Sequence, residues 1–289
     1  AYICRSALLP FITDIYGDNY PPDRRAAFFS KSLILSVGIA ALSGFLGSSI
    51  LEKDIEYYPL IFTFLGFCAF SKAIAIYCMP SKTVDESPHE NPFGNMKYAW
   101  QDRSFGYVLL TWFIMGFANL WTLPLRVDYV TSPQWGIEGS AVFVALIITI
   151  IPETMRMLLI PFWAKLFDKM NFVILRMILN LSFAAGVLLF FISSNPWVIG
   201  AGSALIGAAF AGGSIAWNLW VTKYAPPGKT GAYMSVHVSL TGIRGTLGPL
   251  IGYWAVGLIG AQNIGILSCA MMLLATLMLI PEIKHGRGK

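Results

Sequence analysis

The chain has 289 residues, of which 56% are hydrophobic and only 12% are charged, and its net charge is +5. Soluble domains are about 25% charged, so these numbers argue against a soluble protein. Disorder and a disulfide-rich scaffold are excluded by the high hydrophobicity and by a count of four cysteines. The mean hydropathy of +0.65 therefore predicts a membrane protein.

The first residues, AYICRSALLPFITDIYGDNY, resemble the end of a helix rather than a signal peptide, since no basic run precedes a short apolar stretch. Eight stretches of about 20 mostly apolar residues follow, and each is long enough to cross a bilayer. They lie at 32–51, 58–79, 105–124, 140–160, 172–193, 197–221, 232–256 and 260–280. The pattern predicts an all-α, polytopic transmembrane bundle with one partial span and eight full spans.

The basic residues indicate the orientation of these spans. Fourteen of the 20 lie in alternate connections or in the C-terminal tail, and only Lys53 and Arg126 lie in the intervening connections. Cytoplasmic loops are enriched in Lys and Arg, so the 80–104 connection and the C-terminus are predicted to be cytoplasmic. The charge of +5 then needs no nucleic-acid partner. The other four basic residues fall within spans: Arg5, Lys72, Arg156 and Arg244.

Two segments of the chain resemble each other. YPPDRRAAFFSKSLILSVGIAALSGFLG, which starts at Tyr20, can be aligned with YAPPGKTGAYMSVHVSLTGIRGTLGPLIG, which starts at Tyr224. Each copy has a Pro-Pro pair and a basic residue before a glycine-containing span, and each enters its span from a predicted cytoplasmic loop. Parallel repeats of this kind occur in secondary transporters, so the sequence predicts two related halves.

With these features the chain resembles the major facilitator superfamily of secondary transporters. WAKLFDKMNFVILR is similar to the signature loop between helices eight and nine of that family. Asp168, Lys169 and Arg176 match its charged positions, whereas Ala164 and Asn171 stand where glycines are usual. The loop LPFITDIYGDNYPPDRRAAFF resembles the one that follows helix four.

The resemblance implies helices four to twelve of a twelve-helix fold, with the first three helices absent. Residues 1–79 would belong to the N-terminal half, 80–104 to the linker and 105–289 to the C-terminal half and a short tail. It also implies a monomer in the inner membrane with no cofactor and no metal, which uses protons or Na⁺ as the coupling ion and is not an enzyme.

Polar residues within the spans are candidates for function, because they are costly in a bilayer. Arg5 and Arg244 are expected near the midplane, where they could bind substrate or have a structural role. Asn119 could contact a polar solute or a neighbouring helix. Glu153 and Arg156 lie three residues apart on one helix face, and they are either coupling residues or a static ion pair.

The resemblance also implies a cytoplasmic gate. A helix N-terminus carries a partial positive charge, so Asp168 is expected to dock on the helix start near Arg24 and Arg25, with Lys169 and Arg176 in the same gate. A solvated loop charge is the alternative.

Together, these observations predict a transporter that moves a small polar solute by alternating access, driven by an ion or solute gradient. The excess of arginine over carboxylate within spans indicates an anionic solute. A non-transporting membrane sensor remains an alternative, and an integral-membrane enzyme is a weaker one, because the sequence offers no cluster of His, Asp or Glu.

Overall fold

The structure is a computed structural model that describes residues 2–80, 92–135, 137 and 139–284. These residues form eleven α-helical segments and no β-strand. The helices are α1 Tyr2–Asn19, α2 Arg25–Lys53, α3 Tyr58–Tyr77, α4 Tyr98–Gln101, α5 Arg103–Thr122, α6 Leu125–Thr131, α7 Ala141–Ala145, α8 Ile151–Lys169, α9 Phe172–Ile192, α10 Pro196–Leu219 and α11 Thr230–Met278. The predicted all-α bundle is therefore confirmed.

Six helical stretches in the described part of the chain are long and apolar enough to cross a membrane. The last of them, α11, contains two predicted spans, because Gly260 interrupts it with a φ of 79°. That glycine lies in the predicted GLIGAQN connection. Only glycine adopts a positive φ at little cost, so Gly260 allows the chain to turn there. The molecule is an integral membrane protein.

Four of the helices α4–α11 are capped by the side chain of the residue that precedes them. Asp102 accepts the N–H of Phe105 at the start of α5, and Ser140, Asn171 and Asn195 make equivalent bonds for α7, α9 and α10. Such caps satisfy N–H groups that have no partner within the helix. The first residues of α2 and α11 lack a side-chain cap of their own, and both are preceded by a basic residue.

The helical stretch that contains the predicted span 140–160 is longer than predicted and is not a regular helix. A π-helical turn, Leu146–Ile150, joins α7 to α8 and extends the helical stretch to Lys169. π-Turns leave a backbone carbonyl outside the regular ladder and are frequent at functional sites. Here Ser203 of α10 donates a hydrogen bond to the carbonyl of Ile147.

Small residues allow the helices of the C-terminal half to approach closely. A Cβ atom at Gly207 of α10 would meet the backbone of Pro152 at the start of α8, and one at Gly252 of α11 would meet the backbone of Trp121. Close backbone contacts of this type hold membrane helices together. Helices α1 and α2 contact this core, since α2 packs on α8 and α1 packs on α11, while α3 buries none of its residues.

We predict that Gly207→Ala destabilises the protein, because the added methyl group meets backbone that cannot rotate away. Overpacking of this kind costs about 1–3 kcal/mol. Gly200→Ala on the same helix is the control, since the nearest atom to its Cβ would be 3.7 Å away. Thermal unfolding in detergent should give a lower midpoint for Gly207→Ala only, and equal midpoints would contradict the packing.

Candidate functional site

A cavity of about 540 Å³ lies among helices of both halves. We call it the central cavity. It is lined by Leu9, Leu33, Trp112, Met115, Gly116, Asn119, Leu120, Arg156, Arg176, Phe183, Phe210, Gly213, Ser214, Trp217, Asn218, Thr241 and Arg244. The lining combines aromatic rings, amides and hydroxyls with three arginines, and it contains no carboxylate among the described residues.

Arg244 enters the central cavity from α11 and is 5% exposed. Its guanidinium donates hydrogen bonds to the backbone carbonyl of Trp112 and to Oγ1 of Thr241, the second at 3.1 Å. A Cβ atom at residue 116 would occupy the position of this guanidinium, so Gly116 provides the space for it. Arg244 is thus held on α5 by neutral acceptors rather than by an acid.

Arg176 lies in the same cavity, and not at the gate where the sequence placed it. It is 1% exposed, and its guanidinium carbon lies 3.4 Å from the ring centroid of Trp112. It also donates to the sulfur of Met115 at 3.1 Å. The helix α9 begins at Phe172, where the predicted span also begins, so residue 176 lies one turn inside a buried helix and not in the loop before it.

Arg176 and Arg244 therefore both contact Trp112, and neither has a carboxylate within 4 Å among the described residues. Buried guanidinium groups lose favourable hydration, and a buried charge without a counter-ion is costly. An anion in the central cavity would supply that counter-ion, which makes the cavity chemically suited to anionic ligands.

Glu153 and Arg156 form an ion pair on α8, with Nη1 and Oε1 3.3 Å apart. The other terminal nitrogen of Arg156 donates to Oγ of Ser214 on α10 at 3.1 Å. Arg156 lines the central cavity, whereas Glu153 lines a smaller neighbouring cavity. The pair lies at the boundary between the two spaces.

Asp168 at the end of α8 contacts the start of α2. Its two carboxylate oxygens accept the N–H groups of Ala26 at 2.8 Å and Ala27 at 2.9 Å. These N–H groups belong to the first turn of α2, where a side-chain cap usually binds. Asp168 therefore caps α2 from another helix, 142 residues away along the chain.

Asp14 at the end of α1 makes the related contact with α11. It accepts the N–H of Gly231 at 3.0 Å, and the absence of a side chain at that glycine leaves room for the carboxylate. Burial raises the pKa of Asp14 above its ordinary value, while the hydrogen bond from Gly231 opposes that shift. The helices α2 and α11, which contain the two similar segments, are thus both capped by a carboxylate from a distant helix.

A sequence model of the Major Facilitator Superfamily matches residues 2–243 and 138–289. The chain belongs to the major facilitator superfamily.

Two solved structures resemble this major facilitator chain in fold. The human organic anion transporter MFSD10 (TETRAN) has a TM-score of 0.70 and 18% sequence identity, over 94% of this chain and 67% of that chain. A variant of the E. coli fucose:proton symporter FucP has a TM-score of 0.64 and 16% identity, over 95% of this chain and 72% of that chain. A search of curated proteins gave no match.

Some of the candidate residues of this major facilitator protein come together in the structure, and others do not. Asn119, Arg156 and Arg244 line one cavity, with Glu153 beside it. At the start of α2, Arg25 is buried and donates to the carbonyl of Gly17 at 2.8 Å. Arg24 and Lys169 are exposed, and the side chain of Arg5 lies outside the described part.

Sequence reasoning missed Asp14 and Arg126. The sequence predicts that Arg126 lies in a loop, which is wrong, because α6 continues from α5 and buries this side chain. Its guanidinium donates a hydrogen bond to Oδ1 of Asn119 at 2.9 Å. The role of Asp14 could have been predicted from the sequence, because basic residues precede α2 and α11 and a positive charge is unfavourable at a helix N-terminus. Two such starts in a repeat require carboxylates from elsewhere.

We predict that Asp168→Asn exposes the start of α2, because an amide has one acceptor oxygen and cannot accept both N–H groups that the carboxylate accepts. Loss of one hydrogen bond costs about 1 kcal/mol, which corresponds to roughly a fivefold larger open population. The reporter is Ser30→Cys, at a residue 5% exposed, in a background without the four native cysteines. Its alkylation rate should rise several-fold.

Asp23→Asn is the matched control, since Asp23 is exposed and forms an ion pair with its neighbour Arg24, at 3.8 Å. Equal alkylation rates in all three proteins would show that the contact of Asp168 does not hold α2 in place.

Proposed function

We propose that the protein transports a small organic anion by alternating access, with the central cavity as its binding site. The observation that carries this proposal is the pair of buried guanidinium groups, Arg176 and Arg244, which face the cavity without a carboxylate partner among the described residues. Charge-assisted hydrogen bonds from arginine suit carboxylate and phosphate groups.

The remaining lining supports a solute with an apolar or aromatic body. Trp112, Trp217, Phe183 and Phe210 form much of the wall, and Asn119 adds an amide. Cavities of about 300–1,000 Å³ hold small organic molecules, and 540 Å³ falls in this range. MFSD10, which has the same fold, is itself described as an organic anion transporter.

The two aspartate caps form the cytoplasmic gate of this proposal. Asp168 on α2 and Asp14 on α11 connect the halves at one end of the bundle, and the basic loops assign that end to the cytoplasm. The halves would separate there when both caps break, which opens the central cavity to the cytoplasm.

Glu153 is the proposed coupling residue. It is about half exposed and bonded to Arg156, which reaches the central cavity. Protonation of Glu153 would release Arg156 to bind the solute, so that proton binding and anion binding favour each other. FucP, which also has this fold, is a fucose:proton symporter.

We predict that Arg244→Gln lowers uptake of organic anions into proteoliposomes at least about tenfold, because hydrogen bonds to charged groups contribute about 1.5–3 kcal/mol. The assay compares radiolabelled aromatic carboxylates and organophosphates with neutral analogues of the same size. Lys72→Gln is the control, since Lys72 is an exposed basic residue on α3. Binding without flux for every solute would favour the membrane sensor instead.

We predict that Glu153→Gln abolishes accumulation driven by a pH gradient but retains exchange of labelled for unlabelled solute. The amide cannot take up a proton, and like a protonated Glu153 it leaves Arg156 free to bind the solute. Glu56→Gln is the control, because Glu56 is exposed between α2 and α3. Normal pH-driven accumulation by Glu153→Gln, or accumulation driven by Na⁺ alone, would contradict the assignment.

A further inference from the structure

A second cavity of about 250 Å³ lies beside the central one, within the C-terminal half. We call it the side cavity. It is lined by Leu123, Arg126, Ile147, Ile148, Pro152, Glu153, Arg156, Phe190, Ser203, Ile206 and Phe210. Arg156 and Phe210 line both cavities, so they form the wall between them.

Arg126 is the unusual residue of the side cavity. It is 7% exposed, its Nη2 donates to Asn119, and its Nε has no hydrogen-bond partner. No carboxylate lies within 4 Å of it in the part of the chain that the structure describes. The transport site proposed above leaves this cation unused, because Arg126 does not line the central cavity.

The other charges of the side cavity nearly cancel. Glu153 and Arg156 are paired at 3.3 Å, so the positive charge of Arg126 remains without compensation. An uncompensated buried charge is strongly destabilising. A site with one excess positive charge, on a guanidinium that lines its wall, is suited to one singly charged anionic group.

We propose that the side cavity binds a small oxyanion, with Arg126 as its main ligand and Arg156 at the shared wall. A volume of 250 Å³ is below the range for drug-sized ligands, so the occupant is a carboxylate or an inorganic oxyanion of a few heavy atoms. It is either a free ion or the anionic end of a solute that extends past Arg156. Binding at this site does not require that the central cavity transports anything.

The experiment measures the charge selectivity of a thiol placed in the side cavity. Leu123 lines the cavity and is 44% exposed, so Leu123→Cys is accessible to reagents. In the intact protein without its native cysteines, an anionic methanethiosulfonate should react at least about tenfold faster than a cationic one, because local fields raise ion concentrations by this factor or more. Arg126→Gln should remove the preference, and Arg126→Lys should retain most of it.

Gln134→Cys, at an exposed residue outside both cavities, reports the reaction with bulk reagent and should show no effect of Arg126→Gln. Arg244→Gln should leave the selectivity at residue 123 intact, which separates this site from the central one. At constant ionic strength, protection by sulfate or phosphate indicates a free-ion site, and protection by organic carboxylates alone indicates a path for the solute. Equal rates for the two reagents, a preference that survives Arg126→Gln, or a lack of protection by any of these anions would overturn the proposal.

Discussion

Two helix starts that cannot cap themselves are capped by carboxylates from distant helices. Arg24 and Lys229 precede α2 and α11, and neither provides a side-chain cap. Each start instead receives a carboxylate from a helix far away in the sequence, Asp168 on α2 and Asp14 on α11. A cap is worth about 0.5–2 kcal/mol, so two caps favour one state by only a few kcal/mol. That bias is small enough for both states of a transport cycle to be populated.

The low charge content has a second consequence in the cavities. The buried arginines are held by a ring face, a sulfur, a backbone carbonyl and an amide, with one carboxylate at Arg156. Neutral partners fix the position of a guanidinium without neutralising it. The positive potential therefore remains available to a ligand, whereas a full set of carboxylates would cancel it.

The sequence alone was sufficient for the long apolar helices and the break at Gly260, because hydropathy and glycine act locally. It also led to the contact between Asp168 and the start of α2, through a motif. It could not place Arg176 or Arg126, whose positions depend on how α9 packs against Trp112 and on how far α6 extends the preceding helix. The sequence also did not predict the π-turn at Leu146–Ile150, because this turn depends on contact with another helix, where Ser203 bonds the carbonyl of Ile147.

Arg156 is the charged residue that lines both cavities. It contacts Glu153 on one side and Ser214 on the other, and it lines both spaces. If both cavities bind anions as proposed, an anion in the central cavity would attract this guanidinium away from Glu153. The released carboxylate would then face the side cavity and compete with an oxyanion for Arg126. Occupancy of the two cavities is therefore expected to be anticooperative unless Glu153 is protonated. A proton at this one carboxylate would let both anionic groups bind at once, so the same ion pair would determine both the coupling ion and the order in which the cavities fill.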